Sequence, residues 1–284
     1  MKFTKSRLRQ LLLTAVFFTT MLSKSYGGAF PVRPGSWLLS PSINYFFANK
    51  GWDSLRRLSS FANRGEFRSI SYSLYTEYGL SRRFTVIGQL PFVNNNYHDT
   101  TGYNSQNNGF TDMEVGVRYY AFNINYIYYF SVQGTFIQPL YTNNVNLGYG
   151  EQGAEIKASF GGSGHLFSKN YYFTLENGVR QYFGSAGPLQ DRYTGTFGLT
   201  LDKRFKQQIS ATIGGFYSTS SLSAGYDPTH IAGNKNFVFN QASLSYGYSI
   251  SQKISVFVSA STFISGRNTG DGSSVSASLI LRPF

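Results

Sequence analysis

The charged residues of this chain that could do chemistry sit at alternate positions of a few segments. Asp112, Glu114 and Arg118 share one parity, while Met113, Val115, Val117 and Tyr119 occupy the other. Glu155 and Lys157, Glu176 and Arg180, and Glu77 sit the same way against apolar neighbours. Acids and bases on one shared face support two kinds of chemistry. They can pair into a buried network whose ions and hydrogen bonds satisfy one another. They can also line a passage and sort solutes by charge and size. The two are compatible, because a constriction must itself be stable.

Three histidines offer different chemistry. His98 precedes Asp99, His230 follows Asp227 by three residues, and His165 stands apart. Convergence of His98 and Asp99 with Asp227, His230 and a nucleophile would make a rim hydrolase. No His-x-Ser of the kind used by barrel phospholipases occurs, so these side chains read as solvated loop residues and the chain as a non-enzyme. The histidines are dispersed and cysteine is absent, so no metal site or cofactor is expected.

The elements that must position these residues are strands. Period-two alternation marks a strand between two environments. It recurs at 36–47, 66–78, 84–93, 112–121, 126–139, 152–163, 171–183, 192–202, 207–218, 237–249, 253–265 and 273–284. In this pattern the apolar face repeats along the whole chain and the other face carries charge. Tyr (22) and Phe (26) are too abundant for an ordinary soluble domain and suit the aromatic girdles of a membrane barrel. The connections alternate between short and long, which is the rhythm of periplasmic turns and extracellular loops and puts both termini in the periplasm. The long ones are polar, residues 94–109 being Asn-rich. The apolar parity of the tenth segment shifts between Phe239 and Ala242, which predicts a bulge there. If apolar parity faces lipid, the charged residues above face the lumen. So do Thr194, Thr196, Gly198 and Thr200, whose small side chains leave room. The fold class is therefore all-β: a transmembrane, antiparallel, up-and-down barrel of about 12 strands.

Residues 1–27 read as a cleaved signal peptide. Lys2, Lys5, Arg7 and Arg9 form a basic region, Leu11 to Leu22 an apolar one, and Ser25-Tyr26-Gly27 a cleavage site. The apolar run is too short to span a bilayer as a helix. Residues 28–284 are then the barrel. Removing the leader takes five positive charges, and the net charge falls from +12 to +7. An exported chain without a clustered basic stripe has no expected nucleic-acid partner. Its expected partners are outer-membrane lipids, the phosphates of lipopolysaccharide, and the barrel-assembly machinery that reads a terminal aromatic such as Phe284. Pro283 lacks a backbone donor and should end strand pairing just before that residue. Residues 28–35 are long enough to tuck into the lumen but too few for a plug domain.

Three segments resemble one family. Glu77-Tyr78-Gly79-Leu80, Leu90-Pro91-Phe92 and the run from Gly109 to Tyr119 (Gly-Phe-Thr-Asp-Met-Glu-Val-Gly-Val-Arg-Tyr) are similar to motifs of the outer-membrane proteins named "MetA-pathway of phenol degradation". Thr111 departs from the family's usual Gly. The resemblance implies an outer-membrane channel for small, often aromatic, compounds. On this reading the chain is a monomeric barrel of a Gram-negative outer membrane that passes a small-molecule solute passively. The alternative is a barrel with a closed lumen that acts through its loops.

Overall fold

The computed structural model describes residues 29–283, apart from 143–145, 203, 205, 223–224 and 231–232. The signal peptide expected at 1–27 and the terminal Phe284 lie outside the described residues. The strands are β1 (Trp37–Trp52), β2 (Leu58–Ser60), β3 (Glu66–Gly79), β4 (Phe84–His98), β5 (Asn104–Phe110), β6 (Asp112–Ile124) and β7 (Tyr128–Pro139), followed by β8 (Gly153–Leu166), β9 (Lys169–Tyr182), β10 (Leu189–Thr200), β11 (Gln207–Thr219), β12 (Phe237–Ser249), β13 (Ile254–Arg267) and β14 (Thr269–Leu281). The short strands β2 and β5 pair only with β1 and β4, respectively. The other twelve are antiparallel staves in chain order, and β14 returns to pair with β1 from Leu39↔Leu281 to Trp52↔Thr269. Closure leaves none of the twelve staves at a sheet edge, which an unhydrated bilayer core demands.

Consecutive residues face opposite media. Ile156 is 70% exposed and its neighbour Glu155 only 5%. On β6, Val115 and Val117 stand outside while Gly116 and Arg118 are buried within. A soluble protein could not leave such an apolar band uncovered. At the short-turn end the outer face carries paired rings: Trp37 with Tyr78 (4.7 Å), Phe84 with Tyr119 (5.1 Å) and Phe122 with Phe130 (5.2 Å). These form a girdle of the expected kind. The β8–β9 turn is two residues, Phe167 and Ser168, both at positive φ, the geometry that matches strand twist in tight hairpins.

Three expectations need correction. The Asn-rich stretch 94–109 is largely a paired hairpin of β4 with β5 and not an irregular loop: Asn94 and Asn95 stand opposite Asn108 and Asn107. Asparagine is a poor strand former, but side-chain bonds across the hairpin, such as Asn96 Nδ2 to Asn104 Oδ1 at 3.3 Å, compensate. The connection read at 266–272 is strand except for Asn268, which turns the chain alone at φ 51°. The parity shift on β12 is not a bulge in that strand. The irregularity lies on β13, where Asn240↔Ser265 is followed by Gln241↔Phe263. Phe239 keeps its parity and faces the lumen. Pairing of the last strand ends at Leu281, ahead of Pro283.

Residues ahead of β1 enter the barrel at the short-turn end. Gly35 N donates to Gly79 O at 2.7 Å, and the Arg33 carbonyl lies where a side chain at 79 would stand. Ala29 is fully buried against Gly161 of β8, and the Phe30 carbonyl accepts from Tyr120 Oη.

Candidate functional site

The lumen has two unlike walls. From β12 through β14 to β1 serine is the commonest inward residue, and hydroxyl pairs join the strands: Ser245 with Ser259 (2.7 Å), Ser261 with Ser274 (2.7 Å) and Ser249 with Ser255 (3.0 Å). Thr196 and Thr212 extend this neutral lining onto β10 and β11 at 2.9 Å. These side chains are short.

The opposite wall, from β3 to β10, is ionic and falls into two groups. In the first, Arg118 Nη1 donates to Glu77 Oε1 at 2.9 Å, Nε to Gln133 Oε1 at 3.0 Å and Nη2 to Tyr75 Oη at 3.0 Å. Both ions are almost fully buried. In the second, Arg180 donates to Glu155 at 2.8 Å and reaches Glu114 at 2.5 Å. Arg192 also binds Glu155, at 2.7 Å. Lys157 pairs with Glu176 at 3.2 Å, and Asp112 accepts from Tyr141 (2.9 Å) and Tyr182 (3.1 Å). All eight expected lumen residues, Glu77, Asp112, Glu114, Arg118, Glu155, Lys157, Glu176 and Arg180, thus sit on the ionic wall, each with a partner. A buried ion left alone would cost several kcal/mol, so pairing is what allows this density of charge inside a narrow tube.

Sequence reasoning passed over several lumen residues. Arg192 has the parity of Thr194 and Thr196, and that signal could have found it. Tyr75, Tyr120 and Tyr182 share parity with the charged residues of their own strands but look like girdle residues by type. Four inward phenylalanines escaped for the same reason: Phe46 on β1, Phe263 on β13, Phe239 on β12 and Phe216 on β11. Successive ring centroids lie 5.7, 4.5 and 5.0 Å apart.

Above this arc the long loops fold inward. Phe61 and Tyr97 pack on Ala48 and Phe67, with Tyr226 and Phe46 against them. They floor a cavity of about 710 Å³ at the rim, bordered by Trp52, Asp227 and Asn268. The rim acid–base group does not form there. His98 turns to Glu66 at 3.5 Å, and His230 pairs with Asp227 at 3.2 Å. Asp99 accepts from the Thr101 hydroxyl and from the backbone of Thr101 and Tyr103, which together hold its carboxyl below the usual range. Each acid serves its own turn. Among the described residues no group of three or more His, Cys, Asp or Glu is placed to hold a metal ion.

A closed wall with an apolar outer band and a polar interior defines a β-barrel of the bacterial outer membrane. No family model matches the sequence, and no curated protein matches it. Solved structures do share the fold. An outer membrane channel from Pseudomonas putida F1 superposes with a TM-score of 0.68 over 91% of this chain and 99% of that one, at 11% identity. The beta domain of the Bordetella autotransporter BrkA gives 0.53 over 87% and 99%, at 11% identity. The translocator domain of the autotransporter NalP from Neisseria meningitidis gives 0.50 over 98% and 95%, at 13% identity. The three segments with family resemblance meet in space: they lie on β3, β4 and β6, and Glu77 of the first binds Arg118 of the third.

Proposed function

We propose that this barrel is a channel for passive passage of small solutes across the outer membrane, hydrophobic or aromatic compounds among them. The observation that carries the reading is the two-walled lumen, in which a lining of short hydroxyl side chains faces a self-neutralised ionic wall. Short side chains on one wall leave more room between the walls than large ones would. The same fold serves a channel in Pseudomonas putida, and the motif segments around Glu77, Leu90 and Arg118 resemble those of the phenol-pathway family. Expected partners are outer-membrane lipid, lipopolysaccharide and the assembly machinery, with the barrel acting as a monomer.

One observation favours the closed-lumen alternative: residues 29–35 and the inward loops cover opposite ends of the tube. Conductance of the refolded mature protein in planar bilayers, with uptake of neutral aromatics into liposomes, separates the two. Ion or solute passage above a heat-denatured control supports the channel. A folded barrel that passes neither leaves the loops as the working parts.

A further inference from the structure

The phenylalanine arc does not end in more apolar surface. Its last ring, Phe216, lies under the Arg192 guanidinium, whose carbon is 4.7 Å from the ring centroid. Arg192 therefore stands at the seam of the two walls, with one face on the arc and one edge on Glu155. It differs from the other lumen guanidiniums. Its side chain is 31% exposed where that of Arg180 is 7%. Nη1 makes its ion-pair contacts, to Glu155 at 2.7 Å and Glu114 at 3.9 Å, and among the described residues no hydrogen bond engages Nε or Nη2. A cation with spare donors held against an aromatic face is a ready partner for a planar anion.

We infer that the arc and Arg192 together form one site for amphipathic carboxylates: solutes with an apolar ring or short chain and a single anionic head. The inference rests on the channel reading. The apolar body lies along Phe263, Phe239 and Phe216, where burial is favourable, and the head takes the free edge of Arg192. The exchange strands no buried charge, because Glu155 keeps Arg180 at 2.8 Å when Arg192 turns to the solute. The arc continues through Phe46 to Phe67 at 6.1 Å and so to the buried cluster beneath the rim cavity. A hydrocarbon gains the arc but leaves Arg192 unanswered. A small hydrophilic anion gains Arg192 but not the arc.

The test is a set of bi-ionic reversal potentials for the whole mature protein in phosphatidylcholine bilayers, with benzoate, acetate and benzylammonium as probes. The expected order places benzoate ahead of both others. Arg192→Gln should cut the benzoate lead over benzylammonium about tenfold, the scale of one charge-assisted hydrogen bond. Phe239→Ser, which extends the neighbouring serine lining, should cut the lead over acetate and spare the lead over benzylammonium. Heat-modifiable mobility identifies variants that are folded. A wild-type barrel that conducts chloride yet gives benzoate no lead overturns the inference alone, as does a lead that survives Arg192→Gln. A folded barrel that conducts no ion at all overturns the channel reading and this inference with it.

Discussion

Arg118 and Glu77 meet at 2.9 Å although β4 lies between their strands. The long guanidinium side chain bridges over one stave of the wall to reach its partner, and Tyr75 closes the triangle by bonding both ions. The pair therefore ties β3 to β6 directly, in addition to the backbone ladders that join each of them to β4.

That tie sets a clear expectation. Glu77→Gln leaves a buried guanidinium without its counterion and should destabilise the barrel by about 3–5 kcal/mol. The double variant Glu77→Gln with Arg118→Met removes both charges and should cost less than the sum of the single changes. Urea titration of the refolded protein in vesicles measures both, and strict additivity would show that the ions do not act as a pair.

The contact between Arg180 and Glu114 is a chord. β7 and β8 lie between β9 and β6, so the 2.5 Å contact spans a segment of the lumen and narrows it. Glu114→Ala should raise single-channel conductance while Arg180 stays neutralised by Glu155. Unchanged conductance would mean that ions pass only along the serine side.

The leading segment gives a third expectation. A side chain added at Gly161 would begin 2.6 Å from Ala29 Cβ and 3.0 Å from the Phe30 ring. Gly161→Leu should push residues 29–30 off β8 and increase conductance, while Tyr120→Phe, which removes the bond to the Phe30 carbonyl, should act in the same direction more weakly. Equal conductance in both variants and the parent would relocate the constriction elsewhere.

The outer face can be tested by charge. Ile156 is the fourth of the fourteen residues of β8 and stands on the apolar band. Ile156→Arg should cost between about 1 kcal/mol, the value near an interface, and about 4 kcal/mol, the value at the midplane of a barrel. Folding titrations in vesicles give the number, and a negligible cost would place this position outside the hydrocarbon.

At the rim, burial pushes the Asp227 carboxyl up, but bonds from the Thr229 hydroxyl and backbone and from His230 outweigh it, so its pKa lies below the ordinary 3.8. A depressed carboxyl stabilises the folded loop above the unfolded pKa, and that stabilisation is lost as pH falls through the folded one. Protection factors for amide exchange around residues 225–230 should therefore stay constant through neutral and mildly acid pH and fall only below about 4. Asp227→Asn should flatten this dependence; an Asn variant that keeps it would point to a different titrating group.

The strands were legible because lipid on one side and lumen on the other force a period of two, and residues such as Val115 and Arg118 have no other way to share a segment. The charged lining was legible for the same reason. The inward aromatics were not, since Phe239 and Tyr182 suit a girdle as well as a lumen and only the neighbouring walls decide between them. Nor could parity foretell that the Arg118–Glu77 and Arg180–Glu114 pairs skip staves, because reach across a closed cylinder depends on its curvature. The Asn94–Asn108 hairpin was hidden by low strand propensity, which pairing across the hairpin overrides.

The two walls also differ in stiffness. From β3 to β10 the staves are cross-braced by ion pairs that jump one or more neighbours, so this half resists any change of curvature. From β12 to β1 the polar links are hydroxyl pairs between adjacent strands, and the contact that skips a stave is apolar, Phe46 against Phe263 across β14. Neutral contacts yield more easily than buried ion pairs, so the serine side is the half expected to give first when the tube changes curvature, with the ionic half as its backing.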